Sequence, residues 1–551
     1  MITGAEAHAE AENKNDREDP PIEDLSQSAR AAAEIILGLP SSAEFVKSAQ
    51  ADLEDNRLIA VDELLGNRRK TQKMQGLEEI TWQPPSPKKY PDWFKWDEAF
   101  SDIMYFEAAQ YCWERISFYE SRRDQMSPQQ QYAIRPLLEE LRARADLYFK
   151  TAQQGLATSF AGMDSTGFMP NSRILTKSGV WQAGLERRTI QKNGGKGSVY
   201  TQPVLEPLAV LTGYEAAIAI DPHSPEAKAL LDKFYEPLKL HLNYYDKFLT
   251  DKPNSRLLGI PHPHASGRDS DRVFDHAKSR LPRDGPNTST MRNLRNAKHD
   301  YQWALNRTKE IVEADGDMQK IREKFWDRDV MFNCIYLDNL YQMAELAQYV
   351  GSERDHHYYL NLAEKVEAEI QTLWNPDAWK GNGAFLNRDK DYNQIPEVSV
   401  GSLFGLMLRS LSAEQLESML NLIDESFNRP YGFPTSPTDS DDSDPHYKER
   451  GRIWRDGDWD NVKWLIVERG LCVQAQREDL PLELRQKCAK LALEKAESSN
   501  EALDKHWPPS EFRNPITGEP QRKRVASFAW AMLPRFMTTP YKLQHLLQES
   551  S

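Results

Sequence analysis

Apolar residues along this chain recur at helical spacing and almost never alternate, which restricts the fold to mainly α architectures. Tyr336, Leu340, Met343, Ala347 and Val350 fall at i, i+4, i+7, i+11 and i+14, along one face of a helix. After a turn at Gly351 and Ser352, the pattern repeats in Tyr359, Leu362, Ala363, Val366, Ile370 and Leu373. Leu416, Met419, Leu420 and Ile423 give a third such face. Start signals agree with the periodicity. Ser127, Pro128 and Gln130 supply an N-cap, a first-turn proline and a capping glutamine, Ser224-Pro225-Glu226 opens another helix the same way, and Ser412 with Gln415 is a further capping box.

Between the helices the sequence predicts long loops rich in Pro, Gly, Trp and charge, at 81–97, 161–203, 255–300, 375–396, 428–463 and 505–527. Loops of this length in a compact protein usually carry function or are disordered. Trp82, Trp93, Trp96, Trp181, Trp379, Trp454, Trp459 and Trp507 favour order, because a disordered loop gains nothing from such rings. Helix pairs joined by long aromatic loops fit a helical barrel whose loops build a pocket at one end. A solenoid is the structural alternative, but it needs a regular short repeat, and none is found.

Composition narrows the partners. The net charge is −14 and no Lys/Arg stripe occurs, which argues against nucleic acid or an anionic membrane. No apolar run reaches the length of a membrane span and nothing resembles a secretory signal, so a cytoplasmic location is expected. Cys112, Cys334, Cys472 and Cys488 are scattered without CxxC spacing and read as buried free thiols. Residues 1–44 form an acidic, partly flexible N-terminal extension.

Several loops share a pattern with known enzymes. Tyr90-Pro91-Asp92-Trp93-Phe94-Lys95-Trp96-Asp97-Glu98-Ala99-Phe100 resembles the "YPxxWxWDxAF" segment of glycoside hydrolase family 63, and within it the mannosylglycerate and glucosylglycerate hydrolases. Gly167-Phe168-Met169-Pro170-Asn171 and Thr201-Gln202-Pro203 resemble "GFIPN" and "TQPPxL", and His262-Pro263-His264-Ala265-Ser266-Gly267-Arg268-Asp269-Ser270 resembles "HPWESGxDNS". Phe325 to Asn333 matches a later helix start, and Tyr431-Gly432-Phe433-Pro434 resembles "YGxPS". Trp454-Arg455-Asp456-Gly457-Asp458-Trp459 resembles "YWRGPVW", and Glu511 to Gly518 followed by Ser527-Phe528-Ala529-Trp530 resembles "EYxxPxTG…FSW". The order is the family's, from about residue 45 to 545.

The resemblance implies an all-α, (α/α)6-barrel catalytic domain over 45–551 and an inverting, exo-acting hydrolase of a small α-glucoside or α-mannoside. It implies Asp269 as general acid and Glu511 as general base, with no cofactor and no metal. Acetal hydrolysis passes through an oxocarbenium-like transition state, so it needs a protonated carboxyl beside the leaving oxygen and a carboxylate that activates water on the opposite ring face. An inverting pair stands roughly 6.5–9.5 Å apart to admit that water. Arg268 beside the acid would lower its pKa if it pointed there, so it is expected to pair elsewhere or to bind substrate.

Other residues have two readings each. Trp96, Trp454, Trp459 and Trp530 could stack on sugar faces or pack in the core. Asp97, Gln202 and Arg455 are sugar-hydroxyl partners by motif position, whereas Asp271 and Asp275 are acidic bystanders. His262 and His264 suggest packing or hydrogen bonding, since no third metal ligand accompanies them. Asp439, Asp441, Asp442 and Asp444 read as a solvated acidic loop, with calcium as the lesser alternative.

Three departures from the pattern bear on specificity. Asp456 and Asp458 add carboxylates where the pocket is bordered, which disfavours an anionic aglycone such as glycerate unless a cation compensates. The tryptophan and acid of "HPWESG" are replaced by His264 and Ala265. Residues 104–150 and 276–325 read as insertions. A small carbohydrate is thus the expected ligand, and a homo-oligomer stays open. The competing functions are a helical-barrel epimerase or lyase, which calls for His or Tyr acid–base pairs, and a silent carbohydrate-binding relative.

Overall fold

The computed structural model describes residues 55–66, 68–74, 77–84, 93–173, 198–251, 255–268, 271–277, 303–437, 457–507, 509–520 and 528–548. In chain order these contain α1 (Asn56–Leu65), the hairpin β1 (Arg69–Met74) and β2 (Leu77–Trp82), β3 (Trp93–Phe94), α2 (Lys95–Ser121) and α3 (Pro128–Phe160). Strand β4 (Ser172–Arg173) pairs antiparallel with β3, followed by α4 (Glu206–Ile218), α5 (Pro225–Tyr244), α6 (Met318–Lys324), α7 (Val330–Tyr349) and α8 (Glu353–Gln371). Then come β5 (Trp374–Trp379), β6 (Asn382–Phe385), α9 (Ala413–Leu422), α10 (Asp460–Trp464), α11 (Cys472–Gln476), α12 (Leu482–Lys505), α13 (Thr539–Lys542) and α14 (Gln544–Gln548).

The helices make an (α/α)6 barrel. Among the described residues its inner ring closes on itself. Helix α2 packs on α4, α4 on α7, and α7 on the 3-10 segment Val400–Met407. That segment packs on the π-helical turn Leu465–Leu471 continuing α10, and α10 packs on the 3-10 segment Ala529–Phe536, which returns to α2. The outer elements α3, α5, α8, α9, α12 and α1 each cover an inner one. A closed ring excludes the solenoid.

The two layers differ in sequence because they differ in surroundings. An inner helix meets neighbours all round, and in α2 the run Ile103, Met104, Tyr105, Phe106, Ala108 and Ala109 is wholly buried. Outer helix α8 buries only Tyr359, Leu362, Ala363, Val366 and Ile370 among its apolar residues, the face that the periodicity predicted. Where α4 approaches α2, a Cβ on Gly213 would stand 2.6 Å from the Phe106 ring, so only glycine permits that spacing. The predicted caps form: Ser127 with Gln130 and Ser412 with Gln415 are reciprocal capping boxes, and the Ser224 hydroxyl accepts from the Ala227 amide. All four cysteines are buried free thiols.

Two expectations need correction. Residues 104–150 are not an appended insertion; they are most of α2 and α3, the first hairpin of the barrel. The expected loop 375–396 contains the β5–β6 hairpin, turned by Lys380 and Gly381 at φ 52° and 85°. The 1–44 extension and the Asp439–Asp444 acidic run lie outside the described residues. No helix among the described residues is long and apolar enough to cross a membrane.

Candidate active site

Each inner segment but the last is followed by an outer helix that packs back against it, so these segments enter from one end. Their first residues are held together there by side chains from the predicted motifs. In the first turn of α2, the Trp96 amide donates to Gln202 Oε1 at 3.2 Å, and Lys95 Nζ donates to the Pro203 carbonyl at 2.9 Å and to Glu206 Oε2 at 3.1 Å. Burial pushes the Lys95 ammonium below its ordinary range. Burial alone would raise the Glu206 carboxyl, but Lys95 and His241 outweigh it and hold it low. Tyr245 OH donates to the Gln202 carbonyl at 2.5 Å, so Gln202 is fixed at both its backbone and its amide.

The loop expected to carry the acid follows β-bridged Ile260. His262 is buried and stacks on Tyr200 at 4.5 Å; its Nδ1 accepts from the His264 amide at 3.0 Å and its Nε2 faces the Ala304 carbonyl at 3.1 Å. Packing and hydrogen bonding therefore occupy this histidine. Gly267, at φ 80°, lies against Trp96: a Cβ there would be 3.6 Å from the indole. Asp269 lies outside the described residues, as do Trp454, Arg455 and Asp456.

Arg268 is described, and its guanidinium is taken up by side chains of the fold. It is fully buried; its Nη2 donates to Asp329 at 2.5 Å and its Nη1 to Ser399 Oγ at 2.9 Å and to Asp271. The expectation that it binds substrate is corrected. Of the two roles foreseen for it, pairing elsewhere is the one found. Asp271, set aside as a bystander, is a structural partner in this cluster.

Farther along the chain, Glu511 is 8% exposed and precedes Phe512, whose ring stacks on Trp459 at 5.2 Å. Trp459 stacks in turn on Trp530 at 6.1 Å, and Trp530 Nε1 donates to Asp97 Oδ1 at 2.6 Å. Trp96, Trp459 and Trp530 are only 2–4% exposed, which makes them a packed aromatic wall rather than open platforms. The wall joins the Glu511 segment to the first turn of α2, where Trp96 meets Gly267.

Behind this wall sits an ion-pair network that the sequence did not disclose. Asp458 and Arg513 exchange backbone hydrogen bonds at 3.0 and 2.9 Å, which fixes the Glu511 segment two residues away. Lys463 Nζ lies 2.6 Å from Asp458 and 3.0 Å from Asp460, and Asp460 accepts from Arg513 Nε at 2.9 Å. All four are fully or almost fully buried. Burial would raise Asp460, but Lys463 and Arg513 outweigh it; Asp458 is raised by burial, with Lys463 opposing and Asp460 adding to the shift. Asp458, expected to border the pocket and repel an anion, is thus neutralised in the interior. The overlooked signal was Lys463, five residues on.

Residues 137–531 match the profile of the mannosylglycerate hydrolase MGH1-like glycoside hydrolase domain. No curated protein matches the sequence. Among solved structures the chain is similar to the family 63 mannosylglycerate hydrolase of Thermus thermophilus in complex with Tris and D-glycerate, at 19% identity and a TM-score of 0.62, over 87% of this chain and 98% of that one. The same protein in complex with glucose gives 19% identity and a TM-score of 0.60 over the same shares, and in complex with Tris alone 19% and 0.61 over 88% and 99%. At this identity the likeness is one of fold.

Proposed function

This chain belongs to the mannosylglycerate hydrolase MGH1-like glycoside hydrolases, and from that premise we propose that it is an inverting, exo-acting enzyme that cleaves a small α-glucoside or α-mannoside. Asp269 is the general acid and Glu511 the general base. The observation that carries this reading is the meeting of two distant segments at the first turn of α2. Gly267, two residues before Asp269, rests on Trp96, while Phe512, next to Glu511, reaches Asp97 through Trp459 and Trp530.

The chemistry follows from that placement. Asp269 gives its proton to the glycosidic oxygen as the bond to the anomeric carbon breaks. Glu511 takes a proton from the water that attacks the opposite face, so the product has inverted configuration. Arg268 does not stand as an unbalanced cation beside the acid, because two carboxylates, Asp271 and Asp329, pair with it. The buried tryptophans keep the reacting bond dry, which strengthens each electrostatic contact. Trp96, Asp97, Gln202, Trp459 and Trp530 line the sugar side in this reading, and Trp454 and Arg455 are assigned to it by the motif they match alone.

Glucosylglycerate and mannosylglycerate are the substrates to try first, with short oligosaccharides next. The Asp458 charge no longer argues against glycerate, since Lys463 neutralises it. Hydrolysis of these glycosides and of aryl α-glycosides should fall by about 10²–10⁴-fold in Glu511→Ala. Asp269→Ala should lose as much on the natural glycosides and far less on a dinitrophenyl glycoside, whose leaving group needs no proton. Proton NMR of the first product should show the β-anomer. Undiminished turnover in both variants removes the pair from the mechanism, and an α-anomer rules out inversion.

A further inference from the structure

The cluster around Arg268 is a costly polar arrangement. One guanidinium and two carboxylates are wholly buried, and such clusters are often less stabilising than well-packed apolar side chains of equal volume. Its placement explains what it does. Arg268 and Asp271 flank residues 269 and 270 on both sides, and both are tied to the barrel. Asp271 accepts from Ser399 Oγ at 2.9 Å and from the Val273 amide at 3.2 Å. Asp329 caps α7 by accepting from the Phe332 amide at 2.8 Å, and its other oxygen accepts from Arg268 and from Asn387 Nδ2 at 2.9 Å. Gly401 leaves the space that the guanidinium fills, since a Cβ there would stand 2.3 Å from Arg268 Nη1.

We infer that Asp329 is a positioning residue for the hydrolysis: with Arg268 it ties to two inner staves of the barrel the residues Arg268 and Asp271, which stand on either side of Asp269 in the chain. The inference rests on the reading of Asp269 as the acid. Asp329 itself does not touch substrate. It acts on proton donation alone, because the Glu511 segment is anchored separately, by Asp458 and Arg513. A donor displaced by an ångström loses about 10²-fold in rate.

Asp329→Asn keeps the helix cap and turns an amide toward Arg268 and Asn387, two donors it cannot accept from. The expected result on a natural glycoside is a kcat lowered at least tenfold with KM within threefold. On a dinitrophenyl glycoside, which needs no protonated leaving group, kcat should change less than threefold. Ser399→Ala, a milder cut in the same cluster, should show the same substrate preference at smaller size and covers the case in which Asp329→Asn fails to fold. Equal losses on both substrates, or no loss on either, in a folded variant overturn the positioning role. Asp269→Ala run in parallel separates the two claims. If it spares the natural glycoside, the assignment of the acid fails; if it behaves as an acid variant while the cluster variants show no leaving-group dependence, only the positioning role fails.

Discussion

Replacing Lys463 with methionine removes a buried cation that touches both Asp458 and Asp460 and donates to the Tyr431 carbonyl at 2.9 Å. Breaking a buried ion pair from one side costs about 3–5 kcal/mol. The low end applies here, because Asp460 keeps Arg513 and Asp458 keeps the Phe433 amide at 3.0 Å. With an unfolding entropy of about 2.1 cal/mol/K per residue, a chain of 551 residues changes its midpoint by about 3 °C for such a loss. Differential scanning calorimetry at pH 7.5 reads this directly, compared among variants because a barrel of this size need not unfold in two states. The double variant Lys463→Met with Asp458→Asn should recover at least half the deficit, since the Asp460–Arg513 pair is then balanced. In the single variant the stranded Asp458 takes up a proton on folding, so its folded pKa lies above its unfolded one and the deficit must shrink as pH is lowered. A midpoint within 0.5 °C of the parent, or a double variant no better than the single, refutes the reasoning.

Three further predictions use other parts of the barrel. Burial, followed by the charges of Glu468, Glu114 and Glu215, pushes the Glu107 carboxyl from 4.5 up to about 8. Folding therefore binds a proton over that window and this group's contribution falls as pH rises through it, so Glu107→Gln should gain melting temperature steadily from pH 5 to 8.5, and a constant offset contradicts the assignment. All four thiols are buried, and burial pushes Cys488 up to about 12, so Ellman's reagent should find no fast thiol in the native chain and four after denaturation. Trp530→Phe keeps the aromatic stack but removes the donor to Asp97, a charge-assisted bond of about 1.5–3 kcal/mol, so KM should rise; an unchanged KM places that bond outside substrate binding.

The outer helices were legible because each has one wet face. Ser412 and Gln415 mark a start, and Leu416, Met419 and Leu420 mark the buried side. The inner helices were legible unevenly: the stripe from Tyr336 to Ala347 disclosed α7, whereas residues 104–150, read as an insertion because they depart from the family pattern, are most of α2 and α3, and α2 is buried nearly all round. The β5–β6 hairpin hid behind Pro376 and a turn in which Lys380, not the usual glycine or asparagine, takes a positive φ. At the candidate site the motifs lead to contacts of the Trp96 amide with Gln202, of Trp530 with Asp97, and of Trp459 with Trp530 and with Phe512, the neighbour of Glu511. What the motifs left open was the destination of each charge. Whether Arg268 meets Asp329 or a sugar, and whether Asp458 meets Lys463 or a substrate carboxylate, depends on pairings between segments up to 61 residues apart.

The ring is completed by its last stave. Ala529–Phe536 closes against both α1 and α2, and it carries the indole that ties Asp97 into the aromatic wall. On the ribosome the nascent chain therefore holds five staves, and the Glu511 segment, before the ring can close. A C-terminal deletion of even two dozen residues should leave an open trough of helices with its core exposed to water, prone to self-association and unable to exclude solvent from a sugar.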